Sequence, residues 1–180
     1  MEAEKEEKEE VVFQYLDLSD PDFERISAMV RKSYPKSCIC WIERVKNPNL
    51  EAAYAACKAS IGNEHLMFHG SSEDAIRTIA MTGFDPLRNK TSAFGKGTYF
   101  AKNASYSFNY MRHDKEGIAY MLLCRVLVGR PCLGSSNLRI DTTKFDSACN
   151  HTSHPTIVVT PHAAAACPDY IICFHKTARP

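Results

Sequence analysis

The sequence predicts an α+β fold, and three observations carry that expectation. Candidate strands and helices do not alternate regularly along the chain, which argues against a doubly wound parallel sheet. No internal repeat and no linker breaks the 180 residues, so one domain is expected; a chain of this size buries roughly 70% of its unfolded surface. The longest apolar run, residues 120–128, is closed by Gly129 and has the character of a buried central strand.

Residues 2–10 are nearly all Glu and Lys. They have no apolar face to offset the entropy of ordering, so residues 1–10 read as a solvated tail ahead of a domain over 11–180. Residues 11–18 are mostly apolar and of strand length. Asp20-Pro21 then opens a helix, with Asp as cap and Pro at the first helical position. Phe23, Ile26 and Val30 share one face of it, and Tyr34-Pro35 stops it. Ile39, Trp41 and Val45 alternate as in a strand half-buried against a core. Asn47-Pro48 opens a second helix by the same cap logic, and Leu50, Tyr54 and Cys57 form its inner stripe.

Leu66-Met67-Phe68 is strand-like. Ser72 caps a third helix that buries Ile76 and Ile79 and ends at Gly83. Residues 85–93 are polar and contain Pro, hence a loop; residues 105–110 suggest a brief helix, and 134–143 a polar connection. Residues 155–160 and 170–174 are the closing strands, rich in β-branched and aromatic side chains. A turn over 163–168 separates them and leaves Asp169 on the last strand in a structural role.

Composition excludes several classes of function. Lys plus Arg number 22 against 21 Asp plus Glu, a formal net charge of +1, so no basic stripe marks a nucleic-acid footprint. No apolar run reaches the ~18 residues needed to span a bilayer, and the first residues lack the apolar core of a signal peptide. A monomeric, intracellular protein of the cytoplasm or nucleus is expected. The eight cysteines read as reduced thiols acting as small hydrophobes. Cys38-x-Cys40 is too tight for a usual zinc pair, and the group Cys149, His151, His154, Cys167, Cys173 and His175 matches no established ligand spacing, so no metal is expected. The sequons at Asn89, Asn103 and Asn150 read as chance matches.

The chemistry concentrates in two stretches. In Leu66-Met67-Phe68-His69-Gly70-Ser71-Ser72 an imidazole stands between an apolar strand and a Gly-Ser-Ser break, where a ligand can reach it. In Phe94-Gly95-Lys96-Gly97-Thr98-Tyr99-Phe100 an aromatic ring repeats the arrangement beside glycines that permit close backbone approach. This is not a phosphate-binding P-loop, because Gly97 stands where Ser or Thr must follow Gly-Lys. Taken alone, a strand-end His and a Tyr after a Gly loop are usually only a satisfied polar group and a packing ring, and neither is expected at the centre of a core.

In combination, His69-Gly70, then Gly95-Lys96-Gly97-Thr98-Tyr99-Phe100-Ala101, then Ser107 and Tyr110, resemble the catalytic domain of the poly(ADP-ribose) polymerase superfamily. The likeness extends upstream through residues 42–50, Tyr54 and Lys58. It implies an ADP-ribosyltransferase fold, with split antiparallel β-sheets and flanking helices around an NAD cleft, and NAD as ADP-ribose donor without a metal. It further implies that His69 bonds the adenosine ribose hydroxyl and that Gly70 offers its backbone N–H and C=O to the nicotinamide carboxamide. Ser107 would bond the carboxamide oxygen, and Tyr99 and Tyr110 would sandwich the ring, though Tyr106 stands close to Tyr110. Ser71 and Phe100 belong to the same donor pocket. The loop over 85–93 takes the place of a loop lining that pocket and is short.

At Ile157 the chain departs from the polymer-forming members, which carry a glutamate there. The pattern His69, Tyr99, Ile157 resembles the mono-ADP-ribosyltransferase branch. It implies transfer of one ADP-ribose unit from NAD to protein side chains, Asp or Glu above all, including automodification. Two other readings stand beside it: a catalytically silent module that uses the fold as a binding surface, and an enzyme whose acceptor is the phosphorylated end of a nucleic acid.

Overall fold

Local capping sets the helices. The computed structural model describes residues 10–90 and 92–175. Of the segment expected as a tail only Glu10 lies within them. After strand β1 (Val12–Tyr15), Asp20 accepts a hydrogen bond from the Asp22 N–H at 2.9 Å and Pro21 begins α1 (Pro21–Arg31). Strand β2 (Cys38–Lys46) leads to α2 (Pro48–Lys58), where Asn47 Oδ1 accepts from the Leu50 N–H at 3.2 Å. Strand β3 (Glu64–Ser71) is followed by α3 (Glu73–Thr82), where Ser72 Oγ accepts from the Ala75 N–H and Gly83, with φ of 87°, ends the helix. Asn47 also joins two helices: its Nδ2 donates to the Ala80 and Met81 carbonyls at 3.0 and 2.9 Å, satisfying the last turn of α3.

The remaining elements are β4 (Thr98–Ala101), α4 (Ala104–Phe108), β5 (Ile118–Leu127), β6 (Pro131–Leu133), β7 (Ser147–Cys149), β8 (Ile157–Thr160) and β9 (Ala166–His175). Among the described residues nine strands run in the order β1-β2-β9-β5-β3-β4-β8-β7-β6. This is the expected α+β arrangement. Its pairings are antiparallel except β6 with β7, which is parallel. The sheet is nearly split: β3 pairs with β5 from Glu64 to Ser71, but with β4 only at Phe68↔Ala101.

Strand β5 shows why its sequence is continuously apolar. Tyr120, Leu122, Cys124 and Val126 face one buried cluster, with Ile76, Ala80 and Phe84, while Ala119, Met121 and Leu123 face another, with Ile26, Val30 and Phe174. Both faces are covered by helices, so neither carries a polar alternation. The stripe of α2 packs as expected, with Tyr54 buried beside Leu127 and Cys167 and with Leu50 and Cys57 against the same cluster.

Two strands depart from the simple pattern. In β2 the register shifts between Ile39 and Trp41. Ile39 therefore packs with the Ile26 cluster, and Trp41 and Val45 with the Ile76 cluster. The three residues do not share a face as expected, because one extra residue in a β-bulge reverses the alternation. In β9 the strand begins at Ala166, so the turn is shorter than expected. Pro168 is accommodated where the register shifts between Leu123 and Cys124.

Asp169 is structural. Both its oxygens accept from the Arg125 guanidinium at 2.8 to 3.1 Å, and the same guanidinium donates to Glu51 at 3.0 Å. Burial raises the Asp169 pKa and Arg125 opposes that rise. Glu51, Cys167 and Asp169 have their ligand atoms within 4.8 Å of one another, but Arg125 already supplies the cation. Cys149 lies on β7 and Cys167 and Cys173 on β9, all three buried with free thiols. Among the described residues no helix is long and apolar enough to cross a membrane.

Replacing Asn47 by Ala removes the α2 cap and unpairs the last carbonyls of α3. A loss of about 2 kcal/mol is expected, measured as a lowered urea midpoint with unchanged slope.

Candidate active site

The site lies where the sheet splits. Beyond Phe68, residues 69–71 of β3 have a strand partner on the β5 side alone, so their other edge opens onto a cleft of about 620 Å³. His69, Gly70 and Ser71 line it from β3, Tyr99 and Phe100 from β4, and Tyr106, Ser107 and Tyr110 from α4 and the turn after it. Two stretches thirty positions apart in sequence thus form one wall.

His69 bridges the split. Its Nδ1 lies 2.8 Å from the Tyr99 carbonyl oxygen. A carbonyl can only accept, so Nδ1 carries the proton and Nε2 of the neutral ring presents a lone pair. Burial lowers the His69 pKa below its ordinary value of 6.5, against a smaller opposing effect of the Tyr99 carbonyl. The ring is held edge-on to Phe84 with centroids 5.2 Å apart and tilted to Phe100 at 5.6 Å, and those two phenylalanines pack on each other at 5.0 Å.

Tyr99 is built in as firmly. Its hydroxyl donates to the Gly95 carbonyl at 2.6 Å and accepts from the Phe94 N–H at 3.0 Å, which closes the glycine loop on itself. Gly97 has φ of 153°, and a Cβ there would overlap the Thr160 carbonyl oxygen of β8. Tyr99 is also part of a buried cluster with Ala148, Ile157 and Val159. A site ring at the edge of a short inner strand is also that strand's packing residue.

Gly70 lies against α4. A Cβ on it would overlap the Ser107 carbonyl oxygen, so only glycine lets the helix come close enough to bring Ser107 into the cleft. Ser107 is buried, and among the described residues its hydroxyl bonds to nothing in its own helix. Tyr110, half-exposed, has its hydroxyl 3.1 Å from that of Tyr106, with ring centroids 5.5 Å apart, so the two tyrosines act as a pair.

Ile157 is the one expected site residue that does not line the cleft. It sits on β8 opposite Ala101, packs with Tyr99 and Tyr106, and donates its N–H to Asn150 Oδ1 at 3.0 Å. Other lining residues escaped sequence reasoning: Thr78 and Ile79 of α3, Phe84 just past its end, and Arg112, whereas Arg88, Asn89 and Lys90 belong to the loop over 85–93 expected beside the pocket. Phe84 had a signal, since an apolar residue just past a helix-ending glycine commonly folds back on the last turn. Ile79 was expected in the core and is half-buried at its margin.

A split α+β sheet with a neutral histidine and a tyrosine facing one cleft defines a domain of the ADP-ribosyltransferase fold. The model of the family described as "Poly(ADP-ribose) polymerase catalytic domain" matches residues 20–160, and the chain belongs to that family. It is similar to protein mono-ADP-ribosyltransferase PARP14 of Homo sapiens, at 30% identity over 88% of this chain and 10% of the relative. It is also similar to protein mono-ADP-ribosyltransferase PARP11 of Mus musculus, at 28% identity over 86% of this chain and 57% of the relative. Protein mono-ADP-ribosyltransferase PARP12 of Mus musculus is 28% identical over 92% of this chain and 26% of the relative. The chain thus spans between about a tenth and somewhat over half the length of these relatives.

Nitrogen NMR of the side chains should show His69 as the Nδ1–H tautomer, with a midpoint below 6.5. Because the folded pKa is depressed, the stability that neutral His69 contributes is fully present above 6.5 and is lost as pH falls through the lower folded value. The wild-type urea midpoint should therefore drop on acidification by more than that of His69→Gln.

Proposed function

We propose that the chain is an NAD-dependent mono-ADP-ribosyltransferase acting on protein carboxylates. The carrying observation is the convergence of His69, Gly70, Tyr99 and Ser107 on one cleft. His69 Nε2 is a pure acceptor and suits a ribose hydroxyl as donor. The open edge of β3 at Gly70 suits an amide, which needs one donor and one acceptor, and the Ser107 hydroxyl completes the carboxamide. Tyr99 and the Tyr106–Tyr110 pair offer aromatic faces to the nicotinamide ring, each contributing about 1 to 3 kcal/mol if ring stacking resembles base stacking.

In the reaction the bond between the ribose C1 and the nicotinamide nitrogen breaks, and its electron pair leaves with neutral nicotinamide. The sugar passes through an oxocarbenium-like transition state, and an acceptor carboxylate oxygen supplies the pair for the new ester bond. An ionised carboxylate needs no base, so the protein's part is to orient the donor and exclude water. Extension of the product would require a sugar hydroxyl to attack a second NAD. Such a hydroxyl needs a proton acceptor in place, and Ile157 offers none. It also cannot polarise the donor ribose, and the loss of one polar contact to a developing charge costs about 2.7 to 4 kcal/mol. The first transfer escapes the former penalty, and extension meets both.

Intact mass spectrometry after incubation with NAD should show single ADP-ribose additions at separate sites, absent in His69→Ala. A ladder of successive units on one site would overturn the reading. Ser107→Ala should weaken competitive nicotinamide analogues by about 0.5 to 1.5 kcal/mol, the net value of one neutral hydrogen bond, in an inhibition assay. Full inhibitor affinity would place the serine outside the carboxamide site.

A further inference from the structure

A second cavity, of about 430 Å³, lies against the first and shares Asn89 and Lys90 with it. Its cationic lining is Lys90, Lys96 and Arg139, all exposed. None of the three pairs with a carboxylate among the described residues. The nearest acids in sequence are engaged elsewhere, Asp85 with Arg88 and Asp141 with Lys144. In a chain with a formal net charge of only +1, three unpaired cations in one concavity are a local feature, not a reflection of overall charge.

The groove is held in shape by bonds that leave these three side chains uncommitted. Ser92 Oγ donates to Asn137 Oδ1 at 2.7 Å, the Asn137 N–H donates to the Ser92 carbonyl at 2.8 Å, and the Lys96 N–H donates to the Leu138 carbonyl at 2.8 Å. Asn89 Nδ2 donates to the Gly97 carbonyl at 2.8 Å, tying the shared wall to the entrance of β4. Asn137 holds φ of 60°, the left-handed region, a small conformational cost that the clamp sustains.

We propose that this groove docks an acidic segment of the protein acceptor and presents one of its carboxylates to the cleft; the proposal rests on the transferase reading above. The chemistry of that reading creates the need. Both the nucleophile and the diphosphate of NAD are anions, and their approach is unfavourable unless cations stand beside the path. Lys90, on the wall common to both cavities, stands on that path, and Lys96 and Arg139 extend the positive surface outward. A nucleic-acid strand fits the groove less well, because its described lining holds no aromatic ring on which a base could stack.

The test is fluorescence anisotropy on the full chain with a short labelled Glu/Gly peptide, its Gln/Gly counterpart, and a 5′-phosphorylated single-stranded RNA of matched charge. The acidic peptide should bind with an affinity that falls with salt, and the double variant Lys96→Ala/Arg139→Ala should bind it roughly tenfold more weakly. The charge-conserving Lys96→Arg/Arg139→Lys should bind as wild type, and both variants should melt as wild type does. Equal binding of the Gln/Gly peptide, undiminished binding by the double Ala variant, or tighter binding of the RNA lost in that variant would each overturn the proposal. If peptide binding follows the expectation while wild type fails to consume NAD, the groove stands and the transferase reading falls.

Discussion

Two strands that would ordinarily zip together are held at the centre of this sheet by one backbone bridge, Phe68↔Ala101, and one side-chain bond, His69 to the Tyr99 carbonyl. The cleft depends on that near-separation. Full pairing of β3 with β4 would satisfy the edge of residues 69–71 internally and leave a ligand nothing to bond. Left open, that edge has polar groups seeking partners. The halves are kept from parting by apolar packing: Phe84 and Phe100 share one cluster with the side chains of β5, while Phe68 belongs to the cluster on the opposite face.

The same economy explains why site and core are difficult to separate. Tyr99 lines the cleft, closes the glycine loop with its hydroxyl, packs against Ile157 and orients His69 with its backbone. His69 in turn is fixed by the two phenylalanines around it. Such a site is preorganised, with rotamers and tautomer settled before any ligand arrives, which is what lets fixed dipoles act without reorganisation. Removal of the Tyr99 ring would therefore disturb the packing and the cleft wall together. Removal of the Ser107 hydroxyl would disturb the fold less, since no bond within its own helix depends on it.

What was legible in the sequence was local. Asp20, Asn47 and Ser72 announced their helices because a cap acts within three residues, and the apolar run of β5 announced a strand covered on both faces. The bulge in β2 was not legible, since Ile39, Trp41 and Val45 alternate correctly and only the pairing with β9 reveals the extra residue. Strands β6 and β7, three residues each, are too short to show any period. His69, Gly70, Tyr99, Ser107 and Tyr110 were found through a motif resemblance, and their meeting at one cleft follows from the β3–β4 split, which no periodicity encodes. Lys90, Lys96 and Arg139 gave no signal as a group, because it takes the Ser92–Asn137 clamp to bring residues forty positions apart into one groove.

The position of Ile157 bears on how far one residue can define an activity. It is 8% exposed and packed among Tyr99, Tyr106, Ala148 and Val159, all of them apolar or aromatic at their contact. A carboxylate introduced there would lose hydration, and the cationic cleft residues Arg88, Lys90 and Arg112 line a cleft that position 157 does not. Burial of that kind raises a carboxyl pKa and favours its neutral form, and a neutral carboxyl neither takes a proton from an attacking hydroxyl nor stabilises positive charge on the sugar. The surroundings of β8, and not the side chain alone, are thus fitted to an aliphatic residue. If transfer is limited to a single unit as proposed, that limit is shared by the Tyr99 cluster against which Ile157 rests.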